Sequence, residues 1–152
     1  KLVYMNLEQR ISHLFVYGTL LQDYPYEINF NITDHANFIG KGFVKGKLYL
    51  VSDYPGLTTD GFNDKVRGEV YELNIPEIIL PAVDKFEEYI YGDYVNSEYI
   101  RDVTDVYLED GQKVKAWTYF YNYQVDEKNR ISSGDFLQAL NGAVKRHSRI
   151  NE

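Results

Sequence analysis

The 152-residue sequence predicts an α+β protein: a small curved or barrel-like mixed β-sheet with helices packed on it. Three observations carry that expectation. Short runs rich in Tyr, Phe, Val and Leu alternate with turn-forming residues, as in strands joined by tight connections. Two of these runs contain glycines, Gly46 and Gly68, which mark bulges or the sharp curvature of a closing sheet. In the last run, Val114, Ala116, Thr118 and Phe120 face one way and Lys115, Trp117, Tyr119 and Tyr121 the other. Neither face is wholly polar, so both are expected to be partly covered.

Taken in order, the first strand lies in HLFVYGTL, residues 13–20, and ends abruptly at Gly18. A glycine there fits either a tight turn packed by Leu20 or a place where something approaches the main chain closely. Residues 22–37 read as a polar, irregular loop. Strands are expected at Phe43–Val51 and Lys65–Leu73, with SDYPGL between them as a turn that Pro55-Gly56 shape. A further pair, Tyr94–Leu108 and Lys113–Tyr121, is joined by Glu109-Asp110-Gly111-Gln112, whose Asp-Gly signals a tight hairpin.

Two segments have helical period. Pro76–Tyr89 is the first, with Pro81 expected in an opening turn or at a kink. At 100° per residue, Ile79, Val83, Phe86 and Ile90 share one face, and Glu88 points roughly opposite it, beside Asp84, as the expected solvated carboxylate. Glu87 falls on the edge of the apolar stripe, four residues after Val83 and seven after Leu80. Burial at that edge would raise a carboxyl pKa and suit it to carrying protons near neutrality. The second helix starts near SSGDF, with Ser132 or Ser133 as N-cap, and continues through Phe136, Leu140, Ala143, Val144 and His147.

Composition narrows the function. One domain over residues 1–152 is expected, with 1–12 as a tail. There is no long apolar run and no signal-peptide core, so neither a membrane partner nor export is expected, and the cytoplasm is the default location. The sequence has no cysteine, which excludes disulfides and thiolate chemistry. Its three histidines are scattered, so no metal site is expected. The net charge of −7 argues against nucleic acid as a partner. Lys145, Arg146, His147 and Arg149 fit the basic end of a helix instead. The 15 Tyr and 8 Phe suit half-exposed β walls and small-molecule pockets. Oligomeric state is not legible.

The ordered series FVYGTL, GKLYLVSDYPGL, VRGEVYEL, VDKFEEY, EYIRDVTDV, AWTYFY and SGDF resembles the γ-glutamylcyclotransferase-like superfamily, in its AIG2-like or γ-glutamylamine-cyclotransferase-like branch. The likeness runs over about residues 13 to 137. It implies a compact barrel-like sheet with a pocket at one end, and Tyr17, Gly18, Thr19 and Leu20 as the substrate cradle. Val83-Asp84-Lys85-Phe86-Glu87 matches the family's L-D-x-x-E segment, which gives Glu87 the catalytic role. The glycine usual after it is replaced by Glu88. Tyr99 and Tyr119 are implied in the pocket wall, although cross-strand packing accounts for such aromatics equally well. Arg101 is expected in an ion pair.

The implied reaction is intramolecular: a γ-glutamyl compound closes on itself, releasing 5-oxoproline and an amine or amino acid, with no metal or cofactor. Well-oriented ring closures reach effective molarities of about 10⁵ M, enough for a site of few residues. Contacts to the leaving group are expected from the 22–37 loop and the segment after Tyr121. The alternative is a small-molecule binding or regulatory module that keeps the pocket without turnover.

Overall fold

The computed structural model describes residues 11–142. The basic cluster at 145–149 and residues 1–10 of the expected tail lie outside them; Ile11 and Ser12 already bond to the sheet, through Trp117 and Leu73 respectively. The described residues contain seven strands: β1 His13–Val16, β2 Ala36–Lys45, β3 Lys47–Leu50, β4 Pro55–Thr58, β5 Lys65–Leu73, β6 Tyr99–Leu108 and β7 Lys113–Tyr121. Five form a closed barrel in the order β1-β5-β2-β6-β7, and β3 and β4 make a separate antiparallel pair. Closure is by a parallel contact of β1 with β7 at Leu14 and Trp117. The predicted α+β barrel is therefore the observed architecture.

The 108–113 hairpin forms as its Asp-Gly pair predicts, with Gly111 at a left-handed φ of 92°. Other boundaries differ. The strand expected at 43–51 is two strands, broken at Gly46, and β2 begins earlier, at Ala36. The bulge lies between Phe38 and Gly40 rather than at Gly46 or Gly68. Gly68 instead admits close approach by β1: a Cβ there would sit 2.2 Å from the Val16 carbonyl oxygen. Pro55-Gly56 belong to β4, not a turn, and β6 starts at Tyr99 rather than Tyr94 because residues 91–97 turn.

Alternation along β7 divides the core as expected. Ala116 joins Phe15, Val44, Val66, Val70, Val106 and Phe136 in one cluster. Trp117 and Tyr119 join Leu14, Val16 and Tyr71 in the other, where Ile79, Leu80 and Val83 of the first helix pack.

That helix, α1, spans Pro76–Phe86, with Pro76 in its opening turn and Pro81 inside it. It stops three residues short of the expected Tyr89, so Ile90 is half-exposed rather than part of the apolar face. Glu87 is the C-cap. The Glu88 N–H donates to the Lys85 carbonyl and the Tyr89 N–H to the Asp84 carbonyl, the paired bonds of a Schellman ending. Glu88 is accordingly left-handed, φ 55°, the one such non-glycine among the described residues. This geometry explains why a glycine is usual there. Glu88→Gly is expected to raise the unfolding free energy by about 0.5–1 kcal/mol, net of the glycine's added chain entropy. Urea unfolding would show it; a loss of stability would mean that the exposed Glu88 side chain contributes more than its backbone strain costs.

The second helix, α2, occupies 136–142 of the described residues. Asp135, not Ser132 or Ser133, is its cap: its carboxylate accepts from Gln138 N–H at 3.1 Å, while the Ser133 hydroxyl accepts from the Asp135 amide.

Candidate functional site

Where β1 ends, the Leu21 amide closes on the Gly18 carbonyl at 3.1 Å and makes a tight turn. No group among the described residues accepts from the amides of Gly18, Thr19 or Leu20. The turn is anchored from below by Leu20 and Leu21, both buried. The glycine has a definite cause: a Cβ at residue 18 would lie 2.8 Å from the Pro55 ring, so β4 can pack here only against a bare backbone. The turn is tight, as the sequence suggested, and the close approach to its main chain is made by Pro55.

All seven residues singled out from the sequence line one cavity: Tyr17, Gly18, Thr19 and Leu20 from the turn, Glu87 from the end of α1, Tyr99 from β6 and Tyr119 from β7. Phe15, Val16 and Pro55 complete it, and its volume is about 30 Å³. Glu87 as a residue is partly exposed, but its carboxyl end is enclosed and accepts no hydrogen bond from the described residues. Burial, and secondarily the charge of Glu98, pushes its pKa up to about 8.

The three tyrosine hydroxyls are committed elsewhere. Tyr17 donates to the Tyr119 carbonyl at 2.6 Å and accepts from the Leu57 amide. Tyr99 donates to the Pro55 carbonyl at 2.6 Å. Tyr119 donates to Asp84 Oδ1 at 2.5 Å. Burial, with smaller contributions from nearby charge, raises all three pKa values, so they are neutral walls at physiological pH. The carboxyl of Glu87 therefore faces the cavity without a resident donor.

On the helical wheel Asp84 shares a side with Glu88, but it does not share its exposure. It is not solvated: its carboxylate takes Tyr119 and a two-pronged contact from Arg101, at 2.7 and 3.2 Å. The ion pair expected of Arg101 is thus made, and its guanidinium also lies 4.4 Å from the Trp117 ring. This network ties the last turn of α1, and hence Glu87, to β6 and β7. A helical wheel gives the side on which Asp84 lies but not the strands that cover it.

A second groove of about 340 Å³ shares Thr19 and Leu20 with the cavity and runs along Tyr24, Tyr26, Ile28, Phe30 and Thr33 of the 22–37 loop. Beyond Tyr99, rings continue outward through Tyr121 to Tyr123, at centroid spacings of 5.4 and 5.9 Å. Among the described residues no group of His, Asp and Glu is arranged to hold a metal ion, and no helix is long and apolar enough to cross a membrane.

A family model described as gamma-glutamyl cyclotransferase, AIG2-like, matches residues 14–138. The chain belongs to the AIG2-like γ-glutamyl cyclotransferase family. A protein of Methanocaldococcus jannaschii that bears the provisional name gamma-glutamylcyclotransferase is 32% identical to it over 116 residues, 73% of this chain and 85% of that one. The crystal structure of an AIG2-like protein from Mus musculus superposes with a TM-score of 0.58, at 27% identity, over 75% of this chain and 80% of that one. An uncharacterised protein from Pyrococcus horikoshii shares the fold, with a TM-score of 0.59 at 23% identity over 90% of this chain and 96% of that one. The family's small-molecule γ-glutamyl substrate and its cyclotransferase activity give the cavity its context.

Proposed function

We propose that this family member converts a γ-glutamyl compound to 5-oxoproline and a free amine or amino acid, with Glu87 carrying the protons. The observation that carries the reading is the enclosed carboxyl of Glu87, which has no internal donor and shares a cavity with three unpaired main-chain amides. Convergent amides at a strand end suit an anion. The substrate's α-carboxylate rests on the amides of Gly18, Thr19 and Leu20, bringing its α-ammonium to Glu87. That positive charge favours the ionised carboxylate.

Glu87 then takes a proton from the α-ammonium. The freed nitrogen attacks the γ-carbonyl carbon, and Glu87 passes protons from the ring nitrogen to the departing nitrogen as the C–N bond breaks. The four hydrogens on the two nitrogens are conserved: one stays on the lactam and three leave on the ammonium product. Tyr17, Tyr99 and Tyr119 shape the folded substrate and keep out bulk water, which strengthens electrostatics inside the cavity.

At about 30 Å³ the cavity has room for about one water molecule. A glutamyl group therefore seats there by swinging lining side chains outward, and the leaving group follows the adjoining groove of the 22–37 loop. The test is 5-oxoproline release from a panel of γ-glutamyl amines and γ-glutamyl amino acids. Release supports cyclotransfer and ranks the leaving groups. Binding without release would replace it with a ligand-binding module.

A further inference from the structure

Glu69 of β5 takes no part in the chemistry above, yet it is a buried carboxylate, 4% exposed. No ion pair among the described residues neutralises it. One oxygen, Oε1, accepts both the Gln22 amide at 3.0 Å and the Tyr71 hydroxyl at 3.1 Å. Lys41, opposite it on β2, attracts it only from beyond ion-pair distance. Burying a charge so weakly compensated is costly where an apolar side chain would fill the space at less expense. The carboxylate's distinctive contribution is a charge-assisted bond to the Gln22 amide, just beyond the Gly18–Leu21 turn. Strand pairing brings it there, because Glu69 lies opposite Val16, the last residue of β1. The strand thus fixes the entry to the turn and Glu69 its exit. Tyr71, fully buried, donates to that same oxygen, Oε1.

We propose that Glu69 is a positioning residue for substrate binding, which sets the direction of the Thr19 and Leu20 amides through Gln22. This rests on the reading of that turn as the seat of the substrate carboxylate. The seat is occupied in both ground and transition states, so loosening it weakens binding and leaves the chemical step intact. Glu69→Asp keeps the charge but withdraws the oxygen by one methylene; Glu69→Leu removes it; Glu69→Gln keeps an oxygen for both donors.

The experiment is steady-state 5-oxoproline release by the wild type and the three variants, with thermal unfolding in parallel. In addition, the Kd of a γ-glutamyl alkylamine is measured in Glu87→Gln with and without Glu69→Asp. The expected result is a KM about tenfold higher in Glu69→Asp and at least as high in Glu69→Leu, with kcat within about twofold, and a KM near wild type in Glu69→Gln. A KM unchanged in Glu69→Asp and Glu69→Leu, whatever happens to thermal stability, overturns the positioning role. If the wild type releases no 5-oxoproline, the proposed reaction fails. The Kd comparison then decides Glu69 by itself: a tenfold rise upholds it and an unchanged Kd overturns it.

Discussion

Glu87→Gln is expected to lower 5-oxoproline release by about 10³-fold, the usual scale for loss of a general acid–base group, while substrate Kd stays within a few fold. Glutamine has the size and shape of the carboxyl but cannot accept the ammonium proton. Glu88→Gln should change the rate by less than about twofold, since Glu88 is exposed and outside the cavity. Equal losses in the two variants would remove Glu87 from the proposed role. The wild-type profile of kcat/KM should rise with pH and level off around the carboxyl's value of about 8. The rise follows because the ionised form is the one that takes the proton. A profile flat from pH 6 to 9 would point to another base.

The same substitution should stabilise the protein. Folding raises the Glu87 pKa from 4.5 to about 8. Between those values the folded chain holds a proton that the unfolded chain releases, so native stability is full below about 4.5 and falls as pH rises toward about 8. At pH 7 the accumulated cost is about 3 kcal/mol, an upper figure that Glu87→Gln would recover. The expected outcome is a variant more stable than wild type at pH 7, with the difference closing as pH falls to 4.5. Chemical denaturation at several pH values would read it. Equal stability at pH 7 would mean that the carboxyl is not desolvated as the cavity implies. Gain of stability with loss of turnover is the trade-off expected where a site is held against its own electrostatic cost.

Legibility in the sequence followed what is local. β5, β7 and the hairpin at 108–113 were readable because alternation and an Asp-Gly turn are properties of neighbouring residues. The first half of β2 was not: Asn37, Phe38 and Ile39 are exposed, so no alternation marks them. β4 was missed because Pro55-Gly56 has turn chemistry, and only its pairing with β3 makes it a strand. For the site, the stripe edge pointed to Glu87 and the family resemblance to its cavity neighbours. The enclosure of its carboxyl depends on α1 stopping at Phe86 and on Tyr99 and Tyr119 arriving from strands. Asp84 and Glu69 were opaque for the same reason. Their partners lie 17 and 35 residues away in one case and 47 in the other.

Trp117, the chain's single tryptophan, is half of the contact that closes the barrel and lies against the Arg101 guanidinium. Its indole N–H donates to the Ile11 carbonyl at 3.0 Å, just before β1. One chromophore thus touches the strand that leads into the Gly18–Leu21 turn and the cation that holds Asp84. Its emission is a built-in reporter, without any label, of whether the two sides of the site have come together.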